Sequence, residues 1–379
     1  MPQRLWDEHE AWLRTCRGLS NLPLPSDEAM GPVFSLSQQL RRESLALNRD
    51  LFVNRPELRV MMHVPPAAIS LGGNSLFSNW LDGLRHMGVP CEAVETGALA
   101  NEAIERFRPT VFFSSDHTTY LQWIDWSRLR AYREQHPMVL VLTASAEHDG
   151  NTPAAGRLRF AREREVDFFV SFRDAEYIAE HLSAWTDAGH DVLSIPFSAN
   201  PIWQFHVPFE PKPLDYAFLA STNPEKAVRY WRYLSSLLPK YRGVINGPGW
   251  GQDGLMLTRR YHSYLYALAQ IGINLHIPIS LDLLTEVNER TFILACSGTF
   301  QLCDAPQVLR RFFSEVAVPS AVTPVEYAEK FVHYLKNPQA RTACQLASLR
   351  AVYADHTIFH RMTVFLARAS ISIEARQSK

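Results

Sequence analysis

Long hydrophobic runs are missing from this chain of 379 residues: no window approaches 18 uninterrupted apolar residues, and the opening Met1-Pro-Gln-Arg-Leu-Trp-Asp-Glu-His-Glu10 has no apolar signal core. A membrane-spanning helix and a secretory leader are not expected, so the reading is a cytoplasmic protein with peripheral membrane contact left open. Cysteine is sparse. Cys16, Cys91, Cys296, Cys303 and Cys344 are scattered, odd in number and without a Cys-x-x-Cys pair, which argues against a disulfide or zinc framework. An excess of one charge is also missing, with 38 Lys and Arg against 39 Asp and Glu. A general nucleic-acid binder would need a basic face, so nucleic acid is not an expected partner. No G-x-x-x-x-G-K-[ST] loop occurs, which argues against a phosphate-loop enzyme. No Asp-x-Asp pair of the kind that holds a metal-nucleotide occurs either, and no metal is expected.

What is present is globular: 46% hydrophobic and 20% charged residues, without repeats or low-complexity segments. A chain this long exceeds one ordinary core, and two domains of about 150–200 residues are the default. Residues 1–58 read as a helical extension packed on the first domain. Residues 59–198 carry short apolar runs without alternation (Arg59–Val64, Cys91–Val94, Thr110–Ser114, Met138–Thr143, Asp167–Phe172, Val192–Pro196), separated by helical segments. Such runs mark strands buried on both faces of a parallel sheet. Four prolines between Ser198 and Pro213 suggest a linker over 199–213. A second α/β unit over 214–356 opens with Asp215–Ala220, continues through Gly243–Asn246 and Ile271–Ile277, and has Glu315–Val318 as its last candidate strand. A C-terminal helix, 357–379, is expected to return toward the first domain.

The chemistry concentrates in the second half. Asn288-Glu-Arg-Thr-Phe292 opens a helix after a buried strand, and Ala295-Cys-Ser-Gly298 closes it, with Asp304 following an apolar run. In a doubly wound domain that order places charged groups and free helix-start N–H groups at the carboxyl edge of the sheet, where ligands bind. Several segments, taken in order, resemble the CgeB-like (spore-maturation-protein-like) glycosyltransferases of the GT-B superfamily. Asp215-Tyr-Ala-Phe-Leu-Ala-Ser221 resembles that family's "yDlaFiGs" segment, and Asn246-Gly-Pro-Gly-Trp250 its "G-x-G-W" turn. Gly272-Ile-Asn-Leu-His276 resembles "iaLN", and Asn288-x-Arg290-x-Phe292 with Gly298 and Asp304 resembles "N-x-R-x-F-E-x-x-A-C-G…D". Asp355-His-Thr357 with His360-Arg361 resembles the closing "eHTy-x-hR". The resemblance spans roughly residues 165–365. One position departs from the pattern: Ile293 stands where the family has a carboxylate that holds donor hydroxyls.

The resemblance implies two Rossmann-like doubly wound domains facing across a cleft. The first would bind an acceptor (glycan, lipid-linked or protein) and the second a nucleotide sugar. It also implies metal-independent transfer, with retention. Arg290 is the leading cation for the departing diphosphate, against a salt bridge to Glu286 or Glu289. Glu289 is the leading acceptor for ribose or sugar hydroxyls, against a solvated helix-start acid. Asn288 reads equally as an N-cap, and Ser221, Thr222 and Asn223 as helix capping or phosphate contacts. Thr291 joins them as a donor-side residue. Gly247, Gly249 and Trp250 form a loop for a base or a plain turn with a packed Trp. His276 is a donor contact or a structural histidine. On the acceptor side, Gly72, Gly73 and Asn74 offer close backbone approach or a tight turn, and His117 or His148 is the candidate base. Tyr120, Trp123 and Trp126 read as core more than platform, and Lys226, Arg229 and Arg232 as a solvated helix face. Two rivals remain: a sugar-nucleotide 2-epimerase, and a degenerate GT-B domain that binds glycan or serves as structure. Homo-oligomerisation is left open.

Overall fold

The computed structural model describes residues 10–12, 14–18, 21, 31–145, 154–222, 224–250, 259–277, 287–305 and 307–378. In chain order the elements are α1 (Pro32–Asn48), β1 (Val60–Val64), α2 (Leu71–His86), β2 (Cys91–Glu95), α3 (Ala100–Phe107) and β3 (Val111–Ser114). There follow α4 (Thr118–Leu121), α5 (Trp126–Gln135), β4 (Val139–Thr143), α6 (Ala154–Glu163), β5 (Phe168–Ser171), α7 (Ala175–His181), α8 (Ser183–Asp187) and β6 (Val192–Ser194). The second half contains β7 (Leu214–Leu219), α9 (Pro224–Tyr233), β8 (Gly243–Asn246), α10 (Arg259–Ala267), β9 (Ala269–Asn274), α11 (Glu289–Cys296) and β10 (Gln301–Cys303). Three helices close the chain: α12 (Pro324–Lys336), α13 (Pro338–Asp355) and α14 (Ile358–Gln377).

Two compact units result. One contains Asn48–Pro196 and Ile358–Lys379, the other Trp12–Leu47 and Phe197–Thr357. The first is built on a six-stranded parallel sheet ordered β2-β1-β3-β4-β5-β6, the second on a four-stranded parallel sheet ordered β10-β9-β7-β8. All five residues of β1 and of β4 are buried, as sheets covered by helices on both faces require. In the first unit one face packs Met61, Phe112, Leu140 and Phe169 against α3, α5 and α7. On the other face Trp80 of α2 stacks on Phe113 at 5.4 Å, and Phe365 of α14 meets both rings. Each such fully buried aromatic contributes roughly 1.5–3 kcal/mol. Arg368 and Arg376 of α14 then pair with Asp191 and Asp167 of the same unit.

Three sequence expectations change. Val33, Leu36 and Leu40 of α1 lie in one core with Phe292, Leu349 and Tyr353 of the second unit, not on the first domain. Glu315–Val318 is turn, and the edge beyond β10 carries only a bridge from Cys303 to Ser320. Helix α2 begins at Leu71, capped by Ser70, whose hydroxyl accepts from Gly73 N at 3.2 Å. Gly72, Gly73 and Asn74 are therefore the helix's first turn and not a loop before it.

In each sheet the chain runs outward in one direction and then resumes on the other side of its first strand. The reversal falls between β1 and β3 in the first unit and between β7 and β9 in the second. At such a switch point the flanking connections leave on opposite faces and open a crevice at the strands' carboxyl ends.

Candidate functional site

Arg290 straddles the switch point of the second sheet. Its Nε donates to Leu219 O, where β7 ends, at 2.8 Å, and its Nη1 to Leu275 O, just past β9, at 3.3 Å. The side chain lies over the Phe218 ring at 5.3 Å. Arg290 makes no ion pair among the described residues; Glu286 lies outside them. Held by two carbonyls and the Tyr266 hydroxyl, the guanidinium meets no carboxylate among the described residues.

The helix carrying Arg290 is set by amide side chains. Asn288 caps α11, its Oδ1 accepting from Thr291 N at 3.1 Å, while its Nδ2 donates to Asn274 Oδ1 at 2.9 Å and Leu275 O at 3.1 Å. Asn274 in turn donates to Thr291 Oγ1 at 2.8 Å and Gln301 Oε1 at 3.0 Å, and Gln301 to Thr291 O at 2.9 Å. Thr291 is fully buried in this network, so it holds the helix start instead of facing a ligand. Glu289 is the first residue of α11, half-buried. Ile293 packs in the core with Ala217, Leu219 and Tyr266, so that position points into the domain and offers no hydroxyl recognition.

Lys226 and Arg229 of α9 are not the solvated face expected of them. Lys226 Nζ donates to Ser221 O at 2.8 Å, and burial, with the Arg290 charge adding, pulls its pKa down to about 8. Arg229 Nε reaches Asp304 Oδ2 at 3.0 Å. Asp304, fully buried beyond β10, also accepts from His276 N at 3.0 Å and faces His276 Nδ1 at 2.7 Å. Burial would raise the Asp304 pKa, but His276 and Arg229 together hold it below the ordinary value. This fixes the His276 ring, whose buried Nε2 has no partner. His262 of α10 also feels the Arg290 charge; burial first, then that charge, lowers its pKa to about 4.

His276, Cys303 and Asp304 place three ligand-type atoms within 4.8 Å of one another. They fit a metal poorly. Asp304 is already bonded to Arg229 and His276, and burial, reinforced by Asp304, keeps the Cys303 thiol protonated well above its ordinary pKa.

Gly247 and Gly249 follow β8 with φ of 137° and 90°. A Cβ on Gly247 would stand 2.1 Å from Ala220 O, and one on Gly249 2.5 Å from Thr222 Cγ2. These glycines let the turn lie against the Ala220–Thr222 segment, where Thr222 N donates to Pro248 O at 2.9 Å. Trp250 braces the turn: its indole N–H donates to Ala220 O at 2.7 Å, and its ring packs on Tyr230 and Phe218. Ser221 is exposed; Asn223 lies outside the described residues. Thus Ser221, Thr222, Gly247, Gly249, Trp250, His276, Asn288, Glu289 and Arg290 gather at one sheet edge. Asp304, which closes the motif opened at Asn288, joins them, and so do Lys226, Arg229 and His262, which belong to no motif.

In the first unit Asn74 Nδ2 donates to Pro65 O at 2.9 Å, tying α2 to the end of β1. His117 is exposed and caps α4, its Nδ1 facing Thr119 Oγ1 at 2.8 Å. His148 lies outside the described residues. The buried groups near the switch point are others. His63 on β1 faces Ser114 Oγ at 3.1 Å through Nδ1, and its Nε2 has no partner; burial lowers its pKa to about 4. Asp116, beyond β3, pairs with buried Arg157 and accepts from Thr143 Oγ1 at 2.5 Å.

Residues 229–367 match the family model described as glycosyl transferase-like. No curated protein matches the chain. Solved structures do. Sucrose-phosphate synthase from Thermosynechococcus elongatus aligns with a TM-score of 0.53 and 10% identity over 85% of this chain and 100% of its own. T4 phage β-glucosyltransferase, solved with UDP and Mn2+, aligns with a TM-score of 0.51 and 11% identity over 85% of this chain and 99% of its own. This chain has the GT-B fold. Among its described residues, no helix is long and apolar enough to cross a membrane. The narrower CgeB-like kinship rests on the sequence resemblance alone.

Proposed function

We propose that this GT-B chain is a glycosyltransferase that takes a sugar from a nucleotide-sugar donor seated at the carboxyl edge of its second sheet. The observation that carries the reading is the Arg290 guanidinium at the switch point, which meets no carboxylate among the described residues, with Lys226 close enough to feel its charge. The charge of Arg290 lowers the pKa of Lys226, so the two cations oppose one another; a diphosphate, with two or more negative charges, relieves that opposition. The same groups would stabilise the charge that develops on the diphosphate as it leaves. The match of residues 229–367 to the glycosyl transferase-like model and the UDP bound by a protein of the same fold support this choice of ligand.

The remaining roles follow by position. Glu289 at the helix start accepts sugar or ribose hydroxyls, since Ile293 is turned into the core. His276, fixed through Nδ1 by Asp304, keeps an unpartnered Nε2 for a donor hydroxyl. Gly247 and Gly249 bring backbone close to the donor. On the acceptor side we assign Gly72, Gly73 and Asn74 to a glycan, lipid-linked or protein acceptor, and keep His117 and His148 as candidate bases. The reaction is read as metal-independent and retaining, from the family resemblance, in a cytoplasmic protein.

Thermal shift against UDP, GDP, ADP, CMP and dTDP, with and without magnesium, tests the reading. One nucleotide should raise the melting temperature without magnesium. Arg290→Ala should abolish that response, and Lys226→Met should weaken it while leaving the two carbonyl anchors of Arg290 in place. No response to any nucleotide would leave the degenerate domain standing. Turnover of a nucleotide sugar into its 2-epimer without acceptor would favour the epimerase.

A further inference from the structure

The second unit carries another cavity, at the opposite ends of its strands. It encloses about 390 Å³ between the start of α1, the segment 206–212 and the first turns of α13. Gln270 and Lys212, on its wall, stand at the amino ends of β9 and β7. They lie one strand length, roughly 17–20 Å, from the carboxyl edge that holds Arg290.

The polar groups on this cavity's wall keep unused bonding capacity among the described residues. His206 lines it and is only 9% exposed. Its Nδ1 faces Ser297 O at 2.9 Å, which makes Nδ1 the protonated nitrogen and leaves Nε2 as a lone-pair acceptor that bonds to none of the described residues. Arg341 uses Nη1 on Leu335 O at 2.9 Å and on Tyr334 O, at the carboxyl end of α12; its Nε and Nη2 edge bonds to none of the described residues. Among the described residues Lys212 donates once, to Ala267 O at 2.6 Å, and an ammonium has three donors. Helix α13 begins here with Pro338, no side-chain cap and no acid in its first turn. With Glu210 also on the wall, the fixed charges sum to one positive, and the helix start adds to it. Phe34, Pro208 and Phe209 supply apolar wall.

We propose that this cavity is a binding site for a sugar phosphate, separate from the nucleotide edge. The phosphate seats on the free fork of Arg341, Lys212 and the start of α13, a planar guanidinium edge matching two phosphate oxygens. A ring hydroxyl donates to His206 Nε2, and the ring's C–H face lies on Phe34 and Phe209. The volume is that of a small-molecule site, with apolar walls and a few directed polar groups. The inference does not depend on the transferase reading.

Calorimetric titration of the full chain with glucose 6-phosphate, fructose 6-phosphate, ribose 5-phosphate and glycerol 3-phosphate, each beside inorganic phosphate, decides it. At least one ester should bind about tenfold or more tightly than inorganic phosphate. Arg341→Gln should weaken that ester about tenfold. Phe209→Ala should weaken it several-fold, and because Phe209 is 45% exposed this variant keeps the fold even if Arg341→Gln does not. UDP should not compete. Failure of all four esters, equal binding of inorganic phosphate, unchanged binding in Phe209→Ala, or displacement by UDP overturns the proposal.

Discussion

Raising the pH from 7 to 9 should loosen nucleotide binding, and Lys226 is the reason. Its pKa in the free protein stands at about 8, lowered first by burial and then by Arg290. A diphosphate favours the charged ammonium, so binding raises that pKa. Affinity is therefore full below pH 8 and falls as pH rises through it. With a pKa of about 8, roughly nine-tenths of the lysine is charged at pH 7 and one-tenth at pH 9. The expected loss is about tenfold in affinity, or about 1.4 kcal/mol. The phosphate itself has its second pKa near ~6 and is constant over this window. Calorimetric titration with UDP at half-unit steps from pH 7 to 9 reads the slope. Lys226→Met should bind UDP about tenfold or more weakly at pH 7, the scale of one charge-assisted hydrogen bond, and should show a flat profile. A flat wild-type profile, or a Lys226→Met profile with the wild-type slope, refutes the reasoning.

Gly247→Ala should destabilise the second unit by at least about 1–3 kcal/mol, since its Cβ would collide with Ala220 O at a backbone angle that favours glycine; the melting temperature reads this. Gly72→Ala should be neutral or stabilising by about 0.4–1 kcal/mol, because nothing lies within 4 Å of the added carbon in a helical turn. Any loss of acceptor use by that variant would then reflect contact and not unfolding. Asp304→Asn should cost about 3–5 kcal/mol in denaturant unfolding, because Arg229 loses a fully buried partner. On the acid side, burial lowers the pKa values of His63, His206 and His262 each to about 4. Their neutral forms favour the folded state above the unfolded pKa of about 6.5. Stability should therefore fall as pH drops from 6.5 toward 4, by up to about 1.4 kcal/mol per unit for each histidine. His63→Leu should remove one share of that slope.

Much of the architecture was legible because buried parallel strands leave an unmistakable trace. Val111–Ser114 and Val139–Thr143 are apolar without alternation, as strands covered on both faces must be. The opening of α11 was equally plain. Asn288 before an acid, a base and an apolar run is a local signal, and the cap it implies is present. Helix α1 was misplaced because its apolar stripe of Val33, Leu36 and Leu40 states that a core exists, not which one. Helix α9 shows the same limit at the site. Lys226 and Arg229 share a face by spacing, and nothing local distinguishes a solvated face from one turned toward β7 and Asp304.

Sequence alone therefore determined most of the elements, the α/β class, the helix-start motif at Asn288 and the turn glycines Gly247 and Gly249, all of which depend on neighbours a few residues apart. Tertiary structure decided what each charge meets. Arg290 meets carbonyls 71 and 15 positions away, Asp304 meets partners 75 and 28 positions away, and His206 opens onto a cavity shared with α13. Strand order sets those meetings. It is fixed by which apolar faces pack together, and so an electrostatic site can be built from residues that carry no local pattern of their own.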